Sequence, residues 1–440
     1  MRDNEQQQTF VDWFRHSSPY IRAFRGRTFV VTFGGEMLAE AQFANLVHDL
    51  VLLHSLGIKL VLVHGARPQI DAQLKARKLE SQYANGMRIT DEPALECVKQ
   101  AAGSVRVEIE AQLSVGISNM PMHKVTTHVI SGNFVTAQPL GVRQGVDYCH
   151  TGEVRRIDVD AIKSHLDNNS IVLLGPMGYS PTGEVFNLNS EDVATEVARR
   201  LRADKLIIFT DENFTNGKRQ LFRELTPREV QEQLSSKRKI KDNTRRHMEN
   251  AMAASMGGVN RVHVLNRHVD GAVLLELFTR DGIGTLVSAQ SFEDIRQATI
   301  DDIGGILDLI SPLEQEGILV RRSRERIEME IAYFTVVERD GLIIACAAFY
   351  TYAKDKLAEL ACLAVHPDYR QSGRGHVLFD HIVKQATQMG IEKLFVLTTR
   401  TAHWFRERGF KAADIKDLPI KKRTLYNYQR QSKVFIKDLT

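Results

Sequence analysis

Between Leu357 and Ile382 the chain reads LAELACLAVHPDYRQSGRGHVLFDHI. An apolar stretch, a short polar turn and an amphipathic stretch follow one another there. Arg370, Gly373 and Gly375 form an R-x-x-G-x-G spacing at the junction of a strand and a helix. Glycines at such a junction let backbone N–H groups approach an anion closely. The helix N-terminus adds unpaired donors and the positive end of its dipole. This chemistry suits a pyrophosphate, although the spacing is not that of the G-x-x-x-x-G-K-[ST] nucleotide loop. Paired glycines also make plain turns, and the hexapeptide alone does not separate the two readings. Upstream, the carboxylate of Glu359 interrupts an apolar run. Two cationic clusters flank this region: VRRSRE, with Arg321, Arg322 and Arg324, and YQRQSK, with Arg430, Ser432 and Lys433. The arginine fork pairs with carboxylates bidentately, so Arg322, Arg430 and Ser432 suit a small dicarboxylate acceptor.

These groups need a scaffold, and the rest of the chain supplies the pattern of one. From Arg27 apolar strands alternate with amphipathic helices: RTFVVTF, IKLVLVHG, KVTTHVI, SIVLLGP, KLIIFTD, RVHVLN and GTLVSA are the strand candidates, implying parallel βαβ units. The Leu38–Leu56 stretch reads as one helix. A second pattern starts near Asp294, with a hairpin expected across Asp340-Gly341, a helix at VLFDHIVKQATQMG, a strand at KLFVLTT, and closing strands between Thr424 and Leu439. Residues 1–20 read as an amphipathic helix with Phe10, Val11, Trp13 and Phe14 crowded together, ended by Ser17-Ser18-Pro19. The expected domains are therefore 1–20, 21–288, a 289–293 linker and 294–440.

Composition excludes several classes. The chain has 440 residues, 43% hydrophobic and 25% charged, with a net charge of +4. That balance is ordinary for globular proteins and gives no basic surplus for nucleic acid. The four cysteines include no C-x-x-C pair. The polar start and the short apolar runs argue against a signal peptide and a membrane span, so a cytoplasmic protein is expected.

The hairpin, the LAELACLAV strand, the Arg370–Gly375 loop and the later AHWFRERGF, taken in order, resemble the GNAT acetyltransferase superfamily over about 294–440. The resemblance implies that coenzyme A pyrophosphate sits on Arg370, Gln371, Gly373, Arg374, Gly375 and His376. It also implies that Cys362, Leu363 and Val365 present backbone groups to pantetheine and the acetyl carbonyl, and that Cys362 borders the acceptor. Direct attack of an amine on the thioester needs a base and a donor for the oxyanion. It needs no covalent enzyme intermediate, so Cys362 need not be a nucleophile. Glu359 is the candidate base; a carboxylate on a solvated strand face is the alternative. Many of these enzymes carry a tyrosine acid where this chain has Phe405, and Thr398 is the candidate substitute.

VVTFGG, VHGARP, NGMRITD, FNLNSEDVA, KLIIFTD and FTRDGIGT, in that order, resemble the amino-acid kinase family, especially acetylglutamate kinase, over about 25–288. Two departures stand out. Thr32 replaces the family's lysine, and Gly65-Ala66-Arg67 replaces a triple glycine, so a kinase fold without kinase activity is expected. Arginine-sensitive members bind arginine beside an extra N-terminal helix, which implies an effector site at Tyr20, His263, Glu276, Gly282 and Gly284. The fold class expected is thus α/β: an amino-acid-kinase-like parallel-sheet sandwich plus a GNAT α+β domain. The fusion resembles the bacterial N-acetylglutamate synthase family. It implies acetyl transfer from acetyl-CoA to the α-amine of L-glutamate as the first step of arginine biosynthesis, L-arginine as inhibitor, a hexameric homo-oligomer, and no resident cofactor or metal. Acetylation of another amine such as lysine, a bifunctional synthase-kinase and a non-enzymatic arginine sensor are the alternatives.

Overall fold

In a computed structural model, residues 2–114, 127–236, 238–279, 281–289, 294–339, 342–372, 374–426 and 430–439 are described. The expected turn at Asp340-Gly341, most of the 289–293 linker, and Gly373 lie outside these residues. The chain divides into two compact units, 1–290 and 291–440.

In the first unit an eight-stranded sheet runs in the order Glu224–Leu225, Thr285–Val287, Arg261–Asn266, Lys205–Thr210, Thr28–Phe33, Lys59–His64, Ser170–Leu174, His128–Ile130. The central strands are parallel and apolar on both faces because helices cover both sides. Phe29, Val31 and Phe33 enter one core with Leu60, Leu62 and Ile207. Val30 enters the other with Val61, Leu206 and Ile208. Thr285–Val287 pairs antiparallel with Arg261–Asn266, so the edge departs from the βαβ pattern. A four-stranded second sheet of Val135–Pro139, Gly152–Ile157, Met177–Tyr179 and Val185–Asn187 was not foreseen. Its strands are short, and three of the four carry Gly or Pro.

Two helix expectations are corrected. Leu38–Leu56 is broken: a 3-10 turn at Gly35–Ala39 precedes the helix Phe43–Ser55. Proline does not end the first helix, which runs Arg2–Phe24 with Pro19 inside it. Proline removes a helix hydrogen bond, and tertiary contacts on both sides of it hold the helix together. Ser17 is buried and its Oγ donates to the Phe278 carbonyl at 3.1 Å. Phe24 packs on Phe29 and Phe278, with ring centroids 5.5 and 5.9 Å away.

The second unit is a seven-stranded sheet ordered Asp294–Gln297, Phe334–Arg339, Leu342–Tyr352, Leu357–Val365, Lys393–Thr398, Lys433–Asp438, Lys411–Ala413. Only the Leu357–Val365/Lys393–Thr398 pair is parallel. Helix Arg374–Gln388 covers one face through Leu378, Phe379 and Ile382. Helix Ile303–Gln315 packs on the other beside Cys346, Cys362 and Ala364. The expectation of closing strands over 424–439 is half right. Lys433–Asp438 is a strand, but its outer partner Lys411–Ala413 comes earlier, and Thr424 ends a short helix, Ile420–Thr424.

Phe24→Ala should empty a core site and loosen the first helix together. We expect a loss of about 3 kcal/mol, read as a lowered urea midpoint of the full chain, with faster amide exchange along residues 8–24. An unchanged midpoint would mean that the helix is held without Phe24.

Candidate active site

The second unit's central feature is a parting of strands. Leu357, Ala358 and Glu359 pair with Lys393, Leu394 and Phe395. Beyond Glu359 the pairing stops, although the two strands continue to Val365 and Thr398. Lys393–Thr398 pairs along its whole length with Lys433–Asp438 instead, Thr398 facing Lys433. The cause lies on the opposite edge. Cys346 pairs with Ala364 but Ala348 pairs with Ala361, so Cys362 and Leu363 together oppose Ala347. Cys362 takes φ +51°, a left-handed conformation that is costly for a side chain. Such a bulge bends the strand. It also switches the alternation: Leu360 faces the Arg374–Gln388 side before it, and Leu363 and Val365 face that side after it. Backbone groups of residues 360–365 thus border an open wedge.

At the wide end sit the loop residues. The described helix Arg374–Gln388 follows the 3-10 turn Pro367–Ser372 along the chain. An added Cβ on Gly375 would lie in ordinary contact with Val365 and Trp404, at 3.4 and 3.6 Å. The Arg374 guanidinium lies 4.7 Å over the buried Tyr369 ring. His376 Nε2 is 3.4 Å from Asp380. Arg370 Nε donates to the Val365 carbonyl at 3.2 Å, which ties the loop back to the strand. The side chain of Gln371 is outside the described residues.

At the narrow end is Glu359. It is 3% exposed, so the solvated-face alternative is set aside. Its Oε2 lies 2.8 Å from Lys422 Nζ, on the short helix Ile420–Thr424. The Tyr352 hydroxyl is beside it: burial first, then the Glu359 charge and hydrogen bond, push the Tyr352 pKa well above the usual phenol value. Thr398 is also buried, but its Oγ1 accepts the Thr401 N–H at 3.0 Å and lies 2.7 Å from the Thr401 hydroxyl. That hydroxyl closes the turn into the helix Ala402–Arg406.

The arginine clusters converge. Arg430 donates to the Gly317 carbonyl at 3.4 Å and to that of Ile318. Burial, then the nearby Arg322 charge, lower the Arg430 pKa. Arg322 Nη1 donates to the Val320 carbonyl at 3.2 Å, while its Nε is buried without a hydrogen-bond partner. Burial opposes the Arg322 charge, yet Cys362, Tyr350 and Glu330 leave its pKa above the usual arginine value. Glu330 is already engaged, accepting from Tyr350 Oη at 2.5 Å and from Arg326 at 3.0 Å. The Cys362 thiol is lowered by the Cys346 thiol and by Arg322. Ser432 is half-buried, and its carbonyl accepts from Tyr426 Oη at 2.6 Å. Arg321 and Arg324 are exposed, and Arg324 pairs with Glu328 at 3.0 Å. The two guanidiniums thus lie near enough for their charges to oppose each other, an arrangement that an anionic ligand relieves.

The first unit gathers a second cluster. Glu276 Oε2 accepts the backbone N–H groups of Ile283 and Gly284 at 2.7 and 2.8 Å. Its Oε1 accepts from His263 Nδ1 at 2.6 Å, and His263 Nε2 lies 3.1 Å from Lys205 Nζ. Nδ1 carries the proton because it faces a carboxylate, and Nε2 accepts from the ammonium. The ring is a neutral bridge between opposite charges. Burial and then Lys205 push the His263 pKa down to about 4, while hydrogen bonds from His263 and the backbone outweigh burial and hold Glu276 at about 2. Gly282 at φ +56° leaves room for Glu276, whose carboxylate any Cβ would strike. Phe24 stacks over Lys205 Nζ at 4.9 Å, and Tyr20 lies one turn away, 6.1 Å from Phe24.

A separate cleft of about 250 Å³ in this unit is lined by Gly34, Gly35, Gly65, Ala66, Arg67 and Asn187, among others. The two glycine turns touch: a Cβ on Gly35 would meet Ala66 Cα at 3.0 Å. The Glu36 carboxylate folds over Gly34, where a Cβ would collide with it. Among the described residues no group of His, Cys, Asp and Glu could hold a metal, and no helix is long and apolar enough to cross a membrane.

Sequence reasoning missed Lys422 and Lys205. A carboxylate in an apolar strand demands a cation, but nothing local says which one. Lys205 merely opens an apolar strand.

Residues 27–266 match the model of the amino acid kinase family, and residues 305–410 that of the acetyltransferase (GNAT) family. An amino-acid acetyltransferase of Proteus mirabilis is 54% identical over 439 residues, 99% of each chain. That of Azotobacter vinelandii is 56% identical over 431 residues, 98% of this chain and 99% of its own. The crystal structure of N-acetylglutamate synthase from Neisseria gonorrhoeae complexed with coenzyme A and L-arginine aligns with a TM-score of 0.88 at 40% identity, covering 98% of this chain and 99% of that one.

The neutral His263 makes the first unit acid-sensitive. Its folded pKa of about 4 lies below the ordinary histidine value of about 6.5, so between these pH values the unfolded chain binds the extra proton. Stability is complete above about 6.5 and falls towards pH 4. The urea midpoint should decline in that window, and the decline should flatten in His263→Asn. An equal slope in that variant would place the titration elsewhere.

Proposed function

The chain belongs to the amino-acid acetyltransferase family, an amino-acid-kinase-like α/β unit joined to a GNAT unit, and on that premise we propose that it acetylates the α-amine of L-glutamate from acetyl-CoA. The observation that carries the choice of acceptor is the nearness of Arg322 and Arg430, which donate to the neighbouring carbonyls of Val320 and of Gly317 and Ile318 and whose charges oppose each other. Two guanidiniums match the two carboxylates of glutamate. The Neisseria protein, solved also with coenzyme A and N-acetyl-glutamate, is consistent with this reading.

In this mechanism Arg374, Gly375 and His376, at the helix N-terminus, receive the pyrophosphate. Backbone groups of residues 360–365 align the thioester in the wedge and offer N–H donors to the oxyanion. Arg322, Arg430 and Ser432 fix the acceptor's carboxylates. Glu359 removes a proton from the acceptor ammonium, directly or through water. The freed amine attacks the carbonyl carbon, and the thiolate leaves. Thr398, already hydrogen-bonded to Thr401, is the candidate acid.

We assign the Lys205–His263–Glu276 cluster, with Tyr20, Gly282 and Gly284, to inhibition by L-arginine. Support comes from a buried carboxylate and from the helix lying over it. The reading places the enzyme in the cytoplasm at the first step of arginine biosynthesis. The kinase-like unit is catalytically silent in it, because Thr32 cannot supply a cation and Glu36 lies where a phosphate would approach. The exposed Phe10, Val11, Trp13 and Phe14 support a homo-oligomer, a hexamer by resemblance.

Thiol release from acetyl-CoA, followed without ATP, tests the whole. We expect release that requires L-glutamate and that L-arginine suppresses. Release with lysine peptides but not with glutamate would overturn the acceptor. Glu359→Gln should lower kcat about 100-fold with little change in acetyl-CoA binding. Arg430→Ala should raise the glutamate KM by more than tenfold. Glu276→Ala should keep uninhibited turnover and lose arginine sensitivity; inhibition at the original arginine concentration would move the effector site.

A further inference from the structure

One primary amine already stands at the apex of the wedge. Lys422 Nζ lies 2.8 Å from Glu359 Oε2, and Glu359 is the last residue at which the two parallel strands still pair. The Lys422 side chain is directed into the unit, about one quarter exposed, while its neighbours Lys421 and Arg423 are exposed. An acceptor ammonium that gives its proton to Glu359 directly must occupy hydrogen-bonding distance of the same carboxylate. Lys422 holds that relation in the structure itself.

We propose that Lys422 is an internal acetyl acceptor: with acetyl-CoA bound and no amino acid in the acceptor pocket, the enzyme acetylates its own Lys422 Nζ. The inference rests on Glu359 being the base of acetyl transfer. The chemistry balances without a further reactant. Glu359 takes one proton from the Lys422 ammonium. The amine attacks the thioester carbonyl, the C–N bond forms and the C–S bond breaks, and the second proton goes to the departing thiolate. An ammonium and an acetyl thioester become an amide, a thiol and a proton on Glu359. The product is neutral, so the ion pair with Glu359 is lost. Held on one chain beside its base, the amine reacts as an intramolecular partner. Amino-acid acceptor competes by placing its own ammonium on Glu359.

The test uses the full chain and acetyl-CoA, with and without L-glutamate, followed by intact mass and peptide mapping. Thiol release is measured in the same samples. We expect one acetyl group on Lys422 and not on the exposed Lys421, suppressed by glutamate, slowed about 100-fold in Glu359→Gln and absent from Lys422→Arg. Unmodified Lys422 in an enzyme that turns over glutamate overturns the inference and leaves the acetyltransferase reading intact. Equal labelling of Lys421 and Lys422, or labelling indifferent to glutamate and to Glu359→Gln, is chemical acetylation and also overturns it. Absent glutamate-dependent release removes the reading of the site itself.

Discussion

The interruption of one β-ladder after Glu359 governs the C-terminal unit. A strand whose backbone is paired on both sides offers nothing to a ligand, because every N–H and C=O is used. Here the two-residue bulge at Cys362 bends Leu357–Val365 away from Lys393–Thr398, and one edge of the strand becomes available. The bulge costs backbone strain at φ +51°. The packing of Leu363 and Val365 against Trp404 and Phe379 on one side, and of Cys362 and Ala364 on the other, holds it. The wedge between the two strands follows from that one bend.

The elements were legible in the sequence where burial alone dictates them. Strands such as Thr28–Phe33 and Ser170–Leu174 are apolar on both faces, and their residues say so. The passage from strand to helix between Val365 and Arg374 was legible because an apolar run gives way to a polar turn and then to an amphipathic stretch. What escaped was set by distant partners. Pro19 reads as a stop until Ser17 and Phe24 find Phe278. The bulge at Cys362 is a property of pairing, not of the letters LAELACLAV. Lys422 lies in a run of three cations, and only the fold selects which of them reaches Glu359.

The two units meet the same electrostatic demand. Each buries a carboxylate, and an unpaired buried carboxylate is expensive. Glu359 takes Lys422 directly; Glu276 takes two backbone N–H groups and, through the neutral ring of His263, Lys205. In both places a lysine holds a position that a ligand's ammonium or guanidinium can contest. The difference lies in what happens to the proton. His263 stays neutral down to about pH 4 because the Lys205 charge and burial both oppose its protonation. That relay transmits charge without accepting a proton. Glu359 has no intervening ring, and its partner is a primary amine in direct contact. A proton can cross that contact, a property that the proposed general base needs and the proposed effector site does not.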